Sequence, residues 1–121
     1  MKKCLPILLL VLLAFAGCDT KPAEYKLSVE GENIIENTDA FTSEVLKNGS
    51  KYDAEDWNFV TEQFGMMCKD YKENEWRLFE ADRNLYQQAW IKYIQAVDAT
   101  NNPELVAATK KLYNDINQKN G

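Results

Sequence analysis

Trp57, Val60, Phe64, Met67 and Tyr71 follow one another at steps of three, four, three and four residues, and no other feature constrains the fold of this chain as strongly. At 100° per residue the five side chains fall within about 80° of one another around a helix, whereas a strand would scatter them over both faces. The spacing predicts a helix buried along one seam, and such a helix needs other helices to cover it. Its start is equally legible. Asp53 can cap the first turn, Glu55 and Asp56 sit where the helix dipole favours acids, and Tyr52 can staple onto Trp57. Asn58, Glu62, Lys69 and Asp70 are expected to look outward.

The chain opens Met1-Lys2-Lys3, runs apolar from Leu5 to Ala16, and reaches Phe15-Ala16-Gly17-Cys18 before polar Asp19-Thr20-Lys21-Pro22. The lysines suit an anionic cytoplasmic surface, and small Ala16 and Gly17 suit a signal peptidase cleft. About twelve apolar residues fall short of the roughly 18 to 20 that a spanning helix needs. This stretch resembles the lipobox of bacterial lipoprotein export signals, with Phe15 where the pattern usually carries Leu. The resemblance implies cleavage between Gly17 and Cys18, a diacylglycerol on the Cys18 thiol and an acyl chain on its new amino group. At about 0.8 kcal/mol per buried methylene, two or three chains hold a protein on a bilayer for its lifetime. The chain then divides into a signal peptide (1–17), the lipidated Cys18 with a flexible tether (18–26), and a helical bundle domain (27–121). Residues 19–25 suit a tether, with no apolar periodicity and one proline. The resemblance places the protein in the cell envelope and leaves inner and outer membrane as alternatives.

A mature part beginning at Cys18 holds all 19 acidic residues and 12 basic ones, a net charge of −7. Such a domain is repelled by phosphate backbones and anionic headgroups, so nucleic acid is excluded as a partner and the lipid alone should meet the membrane. Cys4 leaves with the signal and Cys18 is alkylated, so Cys68 remains alone and no internal disulfide forms. The chain has no histidine. That removes the commonest general base, the commonest zinc ligand and the usual partner of a Ser or Cys nucleophile.

Three further helices are expected. The first spans about Ser28 to Lys47, with Ile34, Thr38, Phe41 and Val45 on one stripe and Asn48-Gly49 as its stop. A third spans about Glu80 to Asp98 and carries Leu85, Tyr86, Ala89, Trp90, Tyr93, Ile94 and Val97, enough to make it the most buried element. The intervening Lys72-Glu73-Asn74-Glu75-Trp76-Arg77 has neither glycine nor proline. A break near 73–79 is still expected, because a continuous helix from 54 to 99 would be about 69 Å long and unable to fold back. Asn102 can cap a short fourth helix with Pro103 in its first position. Leu105, Thr109, Leu112, Tyr113 and Ile116 are its inward face, and the last residues should fray. The expected fold is all-α, a small antiparallel bundle of three to four helices.

The carboxylate pairs Glu55/Asp56, Glu73/Glu75 and Glu80/Asp82 could in principle cut a glycosidic bond. They lie on polar faces or at helix starts, where solvation and the helix dipole give no reason for a raised pKa. A di-metal bundle site needs inward Glu residues and Glu-x-x-His pairs, which this chain lacks. Residues 98–109 fail as a calcium loop, with Pro103 at the sixth place and Thr109 at the twelfth. No metal, cofactor or catalytic residue is therefore expected. Cys68 reads as a small buried hydrophobe. Phe59 and Met66 lie about 140° around the helix from the main seam and need a second neighbour. Either the second helix is central and touches helices on both sides, or Phe59 and Met66, with Phe41 or Ile91, form a partner patch.

Asp53-Ala54-Glu55-Asp56-Trp57, the Phe64 to Tyr71 stretch and Trp90-Ile91-Lys92-Tyr93 are similar to the small, uncharacterised helical lipoproteins of bacterial envelopes. That resemblance brings no catalytic residue and implies a tethered, non-enzymatic module that binds an envelope protein or plays a structural part. An inhibitor or immunity-type lipoprotein, whose acidic face neutralises a basic protein, is the alternative.

Overall fold

The computed structural model describes residues 21–118. The signal segment, Cys18 and the last three residues lie outside this range. Within it are four α-helices and no strand: α1 Ile34–Asn48, α2 Ala54–Asn74, α3 Glu80–Asp98 and α4 Pro103–Gln118. Short 3-10 turns at Gly49–Lys51 and Glu75–Arg77 extend the links after α1 and α2. With connections this short, successive helices reverse direction and the fold is a small helical bundle. The most extensive helix pair is α1 with α3, and they run the same way, since Lys92 meets Asp39 and Ser43 while Ala96, one turn on, lies beside Gly49. Thr38, Thr42, Ala89 and Ala96 are among the small residues buried in these two helices, and small side chains let helix backbones approach closely. Lys92 on α3 reaches across to Asp39 on α1, Nζ to Oδ1 2.7 Å.

The seam on α2 is buried as the spacing predicts: Trp57, Val60, Phe64, Met67 and Tyr71 are all in the core. The Asp53 carboxylate accepts from the Asp56 N–H at 2.8 Å and Asp56 Oδ2 accepts from the Asp53 N–H at 3.1 Å, a reciprocal capping box. Tyr52 meets Trp57 edge to face at 5.3 Å between centroids. Across the core Phe64 stacks on Tyr93 at 3.8 Å and Tyr71 on Tyr86 at 3.6 Å. Aromatic pairs of this kind contribute about 0.5–1.5 kcal/mol beyond their buried area, in a domain that no disulfide within the described residues staples. Asn102 Oδ1 accepts from the N–H groups of Glu104 and Leu105, capping α4. Thr109 is buried and Leu105, Leu112 and Tyr113 are half-buried on its inner side; the Ile116 side chain lies outside the described residues.

Several expectations are corrected. α1 begins at Ile34, because Glu30, Gly31 and Asn33 take positive φ values of 55, 80 and 60° and hold residues 29–33 in a turn. A Cβ on Gly31 would run into the Asn74 side chain and come within 2.7 Å of Arg77 Nη1. The second helix, not the third, contributes most of the core, since Leu85 on α3 is exposed and Trp90 and Ile94 are only partly buried. Asp70 does not look outward; it is buried. The tether expected over 18–26 is corrected for its second half, where Ala23 and Tyr25 are packed into the core.

Candidate functional site

Residues 21–28 lie along α2 and are held by it, and by Tyr52 just before it, at several points. Ala23 donates its N–H to the Tyr52 hydroxyl at 3.2 Å, and Tyr25 donates its N–H to Gln63 Oε1 at 3.0 Å. The Tyr25 hydroxyl donates to Asp70 Oδ2 at 2.7 Å, and Ser28 gives Asp70 both its N–H at 3.2 Å and its hydroxyl at 3.0 Å. Asn74 Nδ2 supplies a further donor at 3.2 Å. A buried carboxylate is costly without partners, and these donors are what let Asp70 sit inside. Burial, with the Asp70 carboxylate beside it, raises the Tyr25 pKa well above the ordinary phenol value. This carboxylate is saturated by the chain's own groups, so it fastens the segment and has no free acceptor to offer a substrate.

The remaining acids are spent locally or face water. Asp56 and Asp82 accept from the backbone N–H groups of Asp53 and Phe79 at two helix starts. Glu75 pairs with Lys72 at 3.1 Å. Among the described residues no group of three His, Cys, Asp or Glu side chains could hold a metal ion. Cys68 is a free thiol buried beside Tyr86 and Trp90, and burial pushes its pKa up to about 11. A thiol so placed is a poor nucleophile at neutral pH.

Comparison with protein-family models, curated proteins and solved structures finds no match. The surface must speak for itself.

Of the two residues of the sequence-derived patch, Phe59 is half-buried and Met66 is 37% exposed. Phe41 belongs to the core between Tyr25 and Tyr93 and is no part of any patch. Ile91 is exposed on α3. Met66 instead lines an open groove of about 830 Å³ between α2 and α4, with Gly65 and Leu112 also on its walls.

The most exposed aromatic residues belong to none of the stripes that the sequence predicts. Trp76 and Phe79 are each 79% exposed, in the link between α2 and α3. Leu78 between them turns inward and packs against the core. The Trp76 indole donates to the Glu73 carbonyl at 3.1 Å, and the Arg77 guanidinium lies 5.7 Å from its ring centroid. Arg77 also donates to the Glu30 carbonyl, which ties the 29–32 turn to this end of the bundle together with Val29, 74% exposed. Two large aromatic residues held outward on a well-anchored turn form an apolar end of the kind that marks contact sites. α2 separates it from the point where the chain enters beside Tyr52. At 1.5 Å per residue that distance is about 30 Å. The sequence signal was present: both residues sit in the polar link and fit neither neighbouring stripe.

Proposed function

We propose that this protein is a lipid-anchored envelope lipoprotein that acts without catalysis, as a module that binds an envelope protein through its Trp76/Phe79 end. The observation that carries the docking half is the outward placement of these two aromatic residues, on a link whose other apolar residue, Leu78, is half-buried and packs against the core. Binding hot spots are enriched in Trp, Tyr and Arg, and an aromatic ring brings large contact area at low conformational cost. The anchoring half rests on the lipobox resemblance and Cys18. Among the described residues no helix is long and apolar enough to cross a membrane. Acids consumed in caps, an ion pair and the Tyr25 fastening support a non-enzymatic reading.

Cross-linking followed by capture from whole envelopes tests the proposal. Wild-type protein should retain a defined partner, Trp76→Ala with Phe79→Ala should lose it while keeping the helical circular dichroism spectrum, and Cys18→Ser should lose a membrane-embedded one. A partner set unchanged by the double alanine variant would refute the role of this end. Exposed Glu73 and Glu80 flank the same aromatic residues, which favours the inhibitor-type alternative as the second reading. Neutralisation of a basic protein should weaken steeply with ionic strength, and apolar docking should hardly respond.

A further inference from the structure

We infer that the outer face of α2 is a self-association surface, on which a second copy of this chain packs antiparallel about a two-fold axis between Gly65 and Met66. Three independent observations meet there. The first is Gly65. It lies mid-helix, where glycine is less favourable than alanine, and among the described residues a Cβ at this position would meet only Leu112, at ordinary distances of 3.6 and 3.8 Å. Among the described residues nothing requires a bare backbone at this point. An approaching second backbone does.

The second observation is Met66, a flexible apolar side chain exposed on the wall of the α2–α4 groove beside that glycine. In an antiparallel pairing, Met66 of each copy lies over Gly65 of the other, a knob above a hole. The third is the charge pattern. Glu62 and Lys69 line the same groove, each an equal step from the proposed axis, and among the described residues neither is ion-paired. Lys111 across the groove is already turned to Asp115 at 3.1 Å. Antiparallel packing brings Glu62 of one copy opposite Lys69 of its partner, twice by symmetry; parallel packing would set like charges together. The pattern thus selects one orientation, as an isologous interface requires. In that arrangement the chain-entry ends lie at opposite ends of the dimer, and both Trp76/Phe79 ends remain free. The inference therefore stands apart from the docking reading.

The full chain carrying Met66→Cys, close to the axis, provides the test under mild oxidation. Buried Cys68 is silent, and the wild-type chain reports any linkage through its other cysteines. Met66→Cys should give a covalent dimer that wild type and Lys47→Cys, an exposed control on α1, do not. Adding Glu62→Lys should lower the cross-linked fraction by about tenfold, and combining it with Lys69→Glu should recover it. Gly65→Ala should raise the thermal midpoint, by removing a mid-helix glycine, yet reduce the cross-link. Failure of Met66→Cys to cross-link, or a cross-link indifferent to Glu62→Lys, overturns the inference.

Discussion

Removing one oxygen from Tyr25 should reveal whether residues 21–28 belong to the folded domain. Tyr25→Phe keeps the buried ring, which meets Phe41 edge to face at 6.1 Å, and deletes only the hydroxyl that donates to Asp70 at 2.7 Å. A hydrogen bond to a charged group contributes about 1.5–3 kcal/mol net. Asp70 retains Ser28 and Asn74 as donors, so the low end applies, about 1.5–2 kcal/mol. For a domain of this size that lowers the thermal midpoint by about 10 °C. Asp70→Asn removes the charge and turns an amide toward donors it cannot fully accept from, a larger loss of about 3 kcal/mol. Tyr52→Phe gives up only a neutral bond from the Ala23 N–H at 3.2 Å and should cost about 1 kcal/mol. Urea unfolding followed by circular dichroism measures all three. The double variant Tyr25→Phe/Asp70→Asn should be less destabilised than the sum of the singles by at least about 1 kcal/mol. Single variants within about 0.5 kcal/mol of wild type would refute the fastening of the segment by Asp70.

Three other expectations can be checked on the same protein. Burial raises the phenol pKa values of Tyr25, Tyr86 and Tyr93 above their ordinary 10.0, so above about pH 10 the unfolded chain sheds protons that the fold retains, and stability falls with rising pH by about 1.4 kcal/mol per unit for each group. The fold should hold at pH 9 and be lost above pH 10 in one step, with tyrosinate absorbance appearing as helix signal disappears; titration of all tyrosines near pH 10 with helices intact would contradict it. The Tyr93 hydroxyl is buried with no hydrogen-bond partner among the described residues, so Tyr93→Phe should be neutral or stabilising by up to about 1 kcal/mol in thermal melts, and a loss of that size would show a partner at work. Cys68 should resist a water-soluble thiol reagent until urea unfolds the domain, whereas labelling of the native protein at the rate of a free thiol would place it at the surface.

What was legible in the sequence was local. The Asp53 cap, the Asn102-Pro103 start and the Trp57 to Tyr71 seam each depend on residues within a few turns of one another, and the structure reproduces them. The break between α2 and α3 could be argued from length alone. The burial of Asp70 could not, because its partners Tyr25 and Ser28 lie 45 and 42 residues away and no short-range pattern pairs them. For the same reason residues 23–26 read as a tether: a short segment without apolar periodicity looks like a linker until a carboxylate and a glutamine on a distant helix accept its hydrogen bonds. Periodicity puts Leu85 on the inner face of α3, because it identifies a face but not how far the neighbouring helices cover it. Apolar residues within a polar link join no stripe, so helical periodicity assigns Trp76 and Phe79 no place. Only the fold shows that Leu78 turns in while its neighbours turn out.

The claim on which the proposed function turns is the acylation of Cys18. Metabolic labelling with a clickable fatty acid, comparing wild type with Cys18→Ser, should give a labelled, membrane-bound wild-type protein and an unlabelled variant. A wild-type protein that carries no label and is released freely on cell lysis would contradict the account.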